Sequence, residues 1–488
     1  MTTETHEEAL RQYIQAELPT TVAELCRLVR IPSVSWPAFD PAHVSASADA
    51  VAELLRGIGL FDLVEVRQAA LDNSAAATLK PIAPATSAPS TSSAPPVDSL
   101  GAPAVVAHRA ARNGRPTVLL YAHHDVQPPG NDTEWETPPF EPTLRGDRLY
   151  GRGAADDKAG IMAHIGALRA VRDILGDRLD VGIALFIEGE EEYNSRSFRT
   201  FLRENRELLA ADVIIVADSV NWSTDIPALT VALRGAVAFN LRIDTLDHAL
   251  HSGMFGGVVP DAMLATVRLL NTLWDAQGGV AVVGLRNAEI ITPPYEEAQL
   301  RAETGLPDAV HPIGEGSFLS RIWCQPSITV TGIDAPTTAH ASNTLLPHVR
   351  VRISARVAPG QDAAEAFQLI RTHLEQHAPF GASLSFEDVE TGQPFLVDTG
   401  GWAVTDMRAA MTRAWGQKPV DIGIGGSIPF ISELVDQFPL AQILVTGVED
   451  ADSRAHSPNE SLHLGAFRRA ILTEALFMTQ LNERNPGD

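Results

Sequence analysis

The sequence predicts an α/β fold: a mostly parallel-sheet domain covered by helices, interrupted by a smaller inserted α+β domain. Three observations predict it. Short apolar runs alternate with helical patterns between residues 104 and 217, as expected of strands joined through crossover helices. Residues 347–357, PHVRVRISARV, instead alternate apolar and polar side chains, which is a strand with one face on a core and one face open. From about residue 395 the first style returns. The boundaries are therefore placed at 1–226 and 393–488 for the sheet-and-helix domain and at 227–392 for the insertion.

The elements follow in order. Leu10, Ile14, Leu18, Val22, Leu25 and Leu28 have helical spacing over residues 5–30, and Ile31-Pro32-Ser33 ends that helix. A second helix is expected at 45–58 and a strand at 61–68. Residues 71–103 are rich in Ala, Pro, Ser and Thr and nearly free of charge. Such a stretch buries no core and is expected to be a flexible insertion. Strands are predicted at 104–108, 117–122, 181–187 and 212–217, with helices at 158–175 and 195–208 between them. In the inserted domain, Leu229–Ile243 reads as a strand or strand pair. Helices fit 260–275 and 361–377, and a strand fits 382–388. The return segment predicts a helix at 402–415, a Gly-rich loop at 423–427, a helix at 428–436, a strand at 442–447 and a last helix at 463–482.

Composition narrows the function classes. The 488 residues carry 37 basic and 61 acidic side chains, a net charge of −24. That balance argues against nucleic acid and against anionic membrane surfaces, both of which need basic faces. The two cysteines, Cys26 and Cys324, are far apart. They form neither a disulfide framework nor a thiolate zinc site, which fits a reducing cytoplasm. The N-terminal stretch lacks the basic and apolar regions of a signal peptide, and no apolar run is long enough to span a bilayer.

Chemistry gathers at strand ends. The run Thr117–Ala122 stops at His123-His124-Asp125. The next strands stop at Glu188-Gly189-Glu190-Glu191-Glu192 and at Asp218, and the last leads through Glu449-Asp450 to His456. The turn Gly151–Lys158 adds Asp156 and Asp157 just ahead of a helix. Ligands collect at the carboxyl ends of strands in open α/β sheets. So many carboxylates at one edge stay ionised together only if cations neutralise them. Mixed imidazole and carboxylate ligands suit zinc, manganese or cobalt better than magnesium or calcium.

Those same segments resemble the di-zinc metallopeptidase family of carnosinases, aminoacylases and glutamate carboxypeptidases, most closely its cytosolic dipeptidase branch. The matching pieces are Ala122–Pro128, Tyr150–Lys158, Glu188–Glu192, Asp218, Leu250–Gly257, Gly425–Pro429 and His456–Glu460, in family order. The resemblance implies amide hydrolysis of dipeptides or similar small peptides by a water activated between two divalent metals, zinc first, with manganese or cobalt as alternatives. It implies that Asp156 bridges the metals, that His123 and Asp218 complete one site, and that Glu192 and His456 complete the other. Glu191 would be the general base and Asp125 would orient His123. His251 would stabilise the oxyanion in a partner subunit of a homodimer. Arg356, Asn343 and Ser427 would hold the substrate, with Arg356 gripping its carboxylate. The insertion would be a lid and dimerisation domain, and Asp156–Asp157 is a candidate cis peptide.

Three departures stand out. His124 occupies a position where relatives often have Tyr, so it is either a competing ligand or an outer group. Gly423-Ile424 replaces Arg-Glu ahead of Gly-Gly-Ser, and the insertion at 71–103 is unusual. Three other readings compete with a dipeptidase: an N-acyl-amino-acid deacylase on the same scaffold, a non-catalytic binding relative, and a protein-recognition role for 71–103.

Overall fold

The computed structural model describes residues 3–72, 100–425 and 429–484. The chain divides into two compact units, one of residues 1–230, 397–420 and 433–488 and one of residues 231–396 and 421–432.

The sheet of the first unit runs in the order Leu63–Arg67, Ala104–Arg109, Gly182–Glu188, Thr117–His123, Val213–Val216, Gln442–Val445. Its centre is parallel: Thr117–His123 pairs in parallel with both neighbours, and Gln442–Val445 pairs in parallel with Val213–Val216. The flank is antiparallel, with Ala104–Arg109 against Gly182–Glu188 and Leu63–Arg67 against Ala104–Arg109. The central strands are buried along almost their whole length. That burial explains their unbroken apolar sequences, because a strand covered on both faces has no polar side to show.

Helix Lys158–Leu175 lies on this sheet, buried on most of its surface. Gly160 makes the approach possible, since a Cβ there would stand 2.7 Å from the Ala217 carbonyl oxygen. His164 on the same helix contacts Glu474 at 2.8 Å and the Tyr121 carbonyl at 3.1 Å. One side chain thus ties the helix to the last helix, Leu464–Glu483, and to the central strand.

Helix Pro41–Ile58 begins earlier than the periodicity suggests. Asp40 caps it by accepting from Ala42 N at 2.9 Å, and Pro41 opens it, both favoured at a helix start. The helix expected at 195–208 is split into Phe198–Glu204 and Arg206–Leu209. Its first residues are diverted: the buried Glu190 carboxylate takes the Ser197 N–H at 2.8 Å. A three-stranded sheet not foreseen from sequence joins Ser461–His463, Arg148–Tyr150 and Thr143–Arg145.

Residues 73–99 of the expected flexible insertion lie outside the described residues. Its flanks meet: Ala70 bridges Leu100, and Gly101 N donates to the Ala69 carbonyl at 2.8 Å.

The second unit holds an antiparallel sheet in the order Ser327–Asp334, His348–Val357, Gly235–Asp244, Ser383–Gly392. Burial alternates strictly along Gly235–Asp244 and His348–Val357. Helices Ala262–Asn271 and Ala363–Gln376 pack on the apolar face, where Phe239, Val351, Ile353, Leu269 and Ile370 form the core. Gly423 and Ile424 end a strand, Val420–Ile424, rather than opening a loop. A Cβ at Gly423 would stand 2.5 Å from the Trp323 Cβ, so the close packing there explains the glycine. Among the described residues no helix is long and apolar enough to cross a membrane.

Candidate metal centre

The site is built from backbone outward. His123 is the last residue of its strand and Glu188 the last of the neighbouring strand, paired in register. The following residues leave the sheet at one edge. Asp218 follows the next strand along, Val213–Val216. Asp156 and His456 arrive differently. Ser461 pairs with Tyr150 in the small sheet, which lays the 456–460 segment beside the 151–157 turn.

Two ligand groups result: His123, Asp156 and Asp218, and Asp156, Glu192 and His456, with the ligand atoms of each group within 4.8 Å of one another. Asp156 belongs to both. Its Oδ1 lies 3.1 Å from His123 Nε2, and its Oδ2 lies 3.0 Å from His456 Nε2. Glu192 Oε2 is 3.3 Å from His456 Nε2, and Asp218 Oδ1 is 3.9 Å from His123 Nε2. All five residues assigned from the motifs as ligands therefore come together. The Asp156–Asp157 peptide is cis.

The electrostatics suit positive charge at this site. Burial pushes the Glu191, Glu192 and Glu449 carboxyls well above the ordinary range, and neighbouring carboxylates add to the push. Burial likewise lifts Asp218 to about 6. Burial also opposes charge on His123, yet hydrogen bonds to Asp125 and Asp156 hold its pKa well above normal. A buried polar group normally has a partner. Glu192 Oε1 is buried with none among the described residues. These donors, all carboxylate oxygens and imidazole nitrogens, fit a pair of divalent cations.

Asp125 organises the centre. Its Oδ1 is 3.4 Å from His123 Nδ1 and accepts from Glu191 N at 3.1 Å. Its Oδ2 accepts from Glu192 N at 3.1 Å and from Ser35 Oγ at 2.7 Å. One carboxylate thus sets a ligand, the general-base candidate and a second ligand together. Glu191 itself lies outside both ligand groups.

His124 is resolved by geometry. Its Nε2 meets the Pro103 carbonyl at 2.8 Å, and its ring packs where a Gly189 Cβ would stand. It braces the strand ends and joins neither ligand group.

Sequence reasoning missed one contributor. Glu460 is fully buried and accepts from Gly153 N at 3.1 Å, Ala155 N at 2.9 Å, Asp156 N at 3.1 Å and Arg152 Nη1 at 2.7 Å. Burial raises its pKa, but four donors aimed at it favour the ionised form. It was quoted only as part of a motif, and it in fact fixes the turn that presents Asp156. The signal was the adjacent Asn-Glu after His-Ser-Pro.

The second unit, taken by itself, holds a further buried cation, Arg234. It is 9% exposed and, among the described residues, donates to oxygens without formal charge, those of Gly425, Arg321, Gln325 and Ser327. Burial and the neighbouring Arg356 lower its pKa to about 10. Arg350 and Arg352, on the same strand as Arg356, are paired with Glu387 at 3.2 Å and Glu390 at 2.9 Å. Arg356 has no such partner among the described residues. His251 and Asn343 lie together in this unit, where the Asn343 carbonyl accepts from Ser252 N at 2.9 Å and His251 pairs with Thr344. Gly253 N donates to His251 Nδ1 at 3.0 Å, so the neutral ring carries its proton on Nε2. Ser427 lies outside the described residues.

Comparison with known proteins gives a consistent result. The family model described as peptidase family M20/M25/M40 matches residues 119–480. The chain is 33% identical to the cysteinylglycine-S-conjugate dipeptidase of Corynebacterium striatum, over 74% of this chain and 80% of that protein. It is 28% identical to the Cys-Gly metallodipeptidase of Schizosaccharomyces pombe, over 75% and 79%. In fold it is similar to the dipeptidase Dug1p of Saccharomyces cerevisiae, with a TM-score of 0.73, 23% identity, and 99% and 100% of the two chains covered. The motif order, the strand-end cluster and these matches agree, and the chain belongs to peptidase family M20/M25/M40.

Proposed function

We propose that this chain is a metallodipeptidase that hydrolyses the peptide bond of dipeptides with free ends. The observation that carries the reading is Asp156, with one carboxylate oxygen directed to each of two ligand groups. The dipeptidase names of the relatives support the substrate class. An N-acyl-amino-acid deacylase on the same scaffold is the less favoured reading for the same reason.

One divalent ion would be held by His123, Asp156 and Asp218 and the other by Asp156, Glu192 and His456; zinc is the first choice. When bound, such ions supply charge that polarises a carbonyl and acidifies water. Glu191 takes a proton from the attacking water as its oxygen bonds to the scissile carbon. It then delivers that proton to the amine as the C–N bond breaks, leaving a carboxylic acid that keeps the second proton of the water and an amine, which together become carboxylate and ammonium. Asp125 holds Glu191 in place through its backbone. His251, with its Nε2–H free to donate, is assigned to the oxyanion, reaching from the partner subunit of a homodimer. The insertion serves as lid and dimerisation domain. Exposed apolar residues Val258, Leu264 and Val267 support association. Two free cysteines agree with a cytoplasmic setting.

Arg356 is assigned to the substrate carboxylate, assisted by Arg234, with Asn343 and Ser427 adding hydrogen bonds. Arg356→Ala is expected to raise KM for dipeptides about 10–100-fold, the scale of a charge-assisted hydrogen bond. C-terminal amides should lose far less. Equal losses on acids and amides would remove Arg356 from this role.

The central test is a dipeptide panel beside matched N-acyl amino acids, using metal-stripped protein refilled with zinc, manganese or cobalt. Metal-restored cleavage of free dipeptides is expected. Turnover of acylated amino acids alone would replace this reading with the deacylase.

A further inference from the structure

His164 and Glu474 stand outside both ligand groups and are buried, 0% and 4% exposed. His164 Nδ1 lies 2.8 Å from Glu474 Oε2, and its Nε2 lies 3.1 Å from the Tyr121 carbonyl oxygen. Both ring nitrogens therefore face oxygens. A neutral imidazole carries one N–H and answers only one of them. Two hydrogens are needed, and there are two ways to supply them. The ring is an imidazolium beside a carboxylate, or a neutral ring donates from Nε2 while the carboxyl donates to Nδ1. In both arrangements the pair holds one proton more than a neutral imidazole beside a carboxylate. The unfolded chain does not hold that proton above the ordinary histidine pKa of about 6.5.

The neighbouring charges are engaged elsewhere. Burial opposes charge on His164, but attraction to Glu474 and the hydrogen bonds to Glu474 and the Tyr121 carbonyl outweigh it and raise its pKa. On the strand, the Tyr121 phenol donates to Glu188 at 2.6 Å. On the same helix, Arg169 pairs with Glu24 and Arg172 with Asp173. From the first helix, Thr3–Val29, Tyr13 and Glu17 lie against Gly166 and Arg169. On the last helix, Arg469 pairs with Asp225 at 3.3 Å and Arg468 lies near Arg11. Helix Trp402–Trp415 brings Met407, Met411 and Trp415 to the small cavity that Glu474 lines, and none of these titrates.

We propose that His164 and Glu474 form a proton-held latch between the last helix and the strand that ends at the ligand His123, and that this latch opens on the alkaline side. The folded pKa lies above the unfolded one. The contribution to stability is therefore fully present below about pH 6.5 and is lost as pH rises through the raised folded value. Between those two values the folded protein holds one proton more than the unfolded chain. The latch does not depend on the dipeptidase reading.

Glu474→Gln is the discriminating variant. Its amide donates to Nδ1 while the Nε2–H serves the carbonyl, so every contact is met without the extra proton. His164→Leu combined with Glu474→Leu removes both groups and leaves the Tyr121 carbonyl its bond from Ala217 N at 3.0 Å. Urea unfolding of the zinc-loaded proteins is compared from about pH 6 to about pH 9. The wild-type unfolding constant divided by that of either variant should be level below about pH 6.5 and rise about tenfold per pH unit above it. Taking the ratio cancels Lys158, which burial lowers to about 7, and Glu188, which burial raises to about 8. At the alkaline end, amides of Leu464–Glu483 should exchange faster in the wild type than in Glu474→Gln. A level ratio with either folded variant overturns the latch. So does a rising ratio with equal exchange in the last helix, because the proton then acts elsewhere.

Discussion

Glu191→Gln is expected to lower kcat by about 10²–10⁴-fold, the usual contribution of general acid–base catalysis, while the protein binds as much metal as before. The substitution keeps the shape of the side chain and the Asp125 contact to its backbone nitrogen. It removes only the ability to accept a proton. Because Glu191 stands outside both ligand groups, metal content measured by elemental analysis should stay at the wild-type value. KM should change little, since ground-state binding does not need the proton transfer. The combination separates roles. Lost activity with lost metal would make Glu191 a ligand, and retained activity would give the proton to another residue. Asp156→Asn, by contrast, should lower metal content directly, because it weakens both groups at once.

Glu460→Ala should be the most damaging change away from the ligands themselves. Arg152 is 1% exposed and its charge is answered by Glu460. Removing one partner of a buried pair typically costs about 3–5 kcal/mol, because the other charge stays behind. Three backbone N–H groups also lose their acceptor. A fall in melting temperature on the order of 10 °C is expected, together with weaker metal binding through the displaced Asp156. Adding Arg152→Met should recover part of the stability without recovering the metal. A Glu460→Ala protein that melts like the parent with full metal content would show that the turn holds itself.

These two residues differ in how openly the sequence displays them. Glu191 was legible because an apolar strand ends in a run of acids, and strand ends are local. His123, Asp218 and Glu192 stand out for the same reason, while Asp156 lies in a Gly-rich turn ahead of a helix and was picked out through the family resemblance. Glu460 was quoted without a role, because its work is done by pairing across more than three hundred residues. The strands that bring it there, Arg148–Tyr150 and Ser461–His463, are three residues each. No periodicity can be read in so short a segment. Arg234 was hidden differently. Nothing in the sequence distinguishes a guanidinium held by carbonyls from one paired with an acid. On the polar strand face, Arg350, Arg352 and Arg356 look equivalent in sequence, and only their partners tell them apart. The helix at 195–208 was misjudged in length because a buried carboxylate captures its first turn.

The meeting of Ala70 with Leu100 has a practical meaning for how such a chain can vary. Ala70 and Leu100, which flank this stretch of sequence, are neighbours in the body, so a change of length between them leaves both strands where they are. Closing a loop of twice the length costs only about 0.6 kcal/mol more. The limit lies just beyond the junction, where Gly101 backs onto Ser197 and Glu190 and the Pro103 carbonyl holds His124. A tag, reporter or tether would be tried within residues 73–99, whereas Asp72, whose N donates to the Arg196 carbonyl at 2.9 Å, and residues 101–103 are the socket that has to stay.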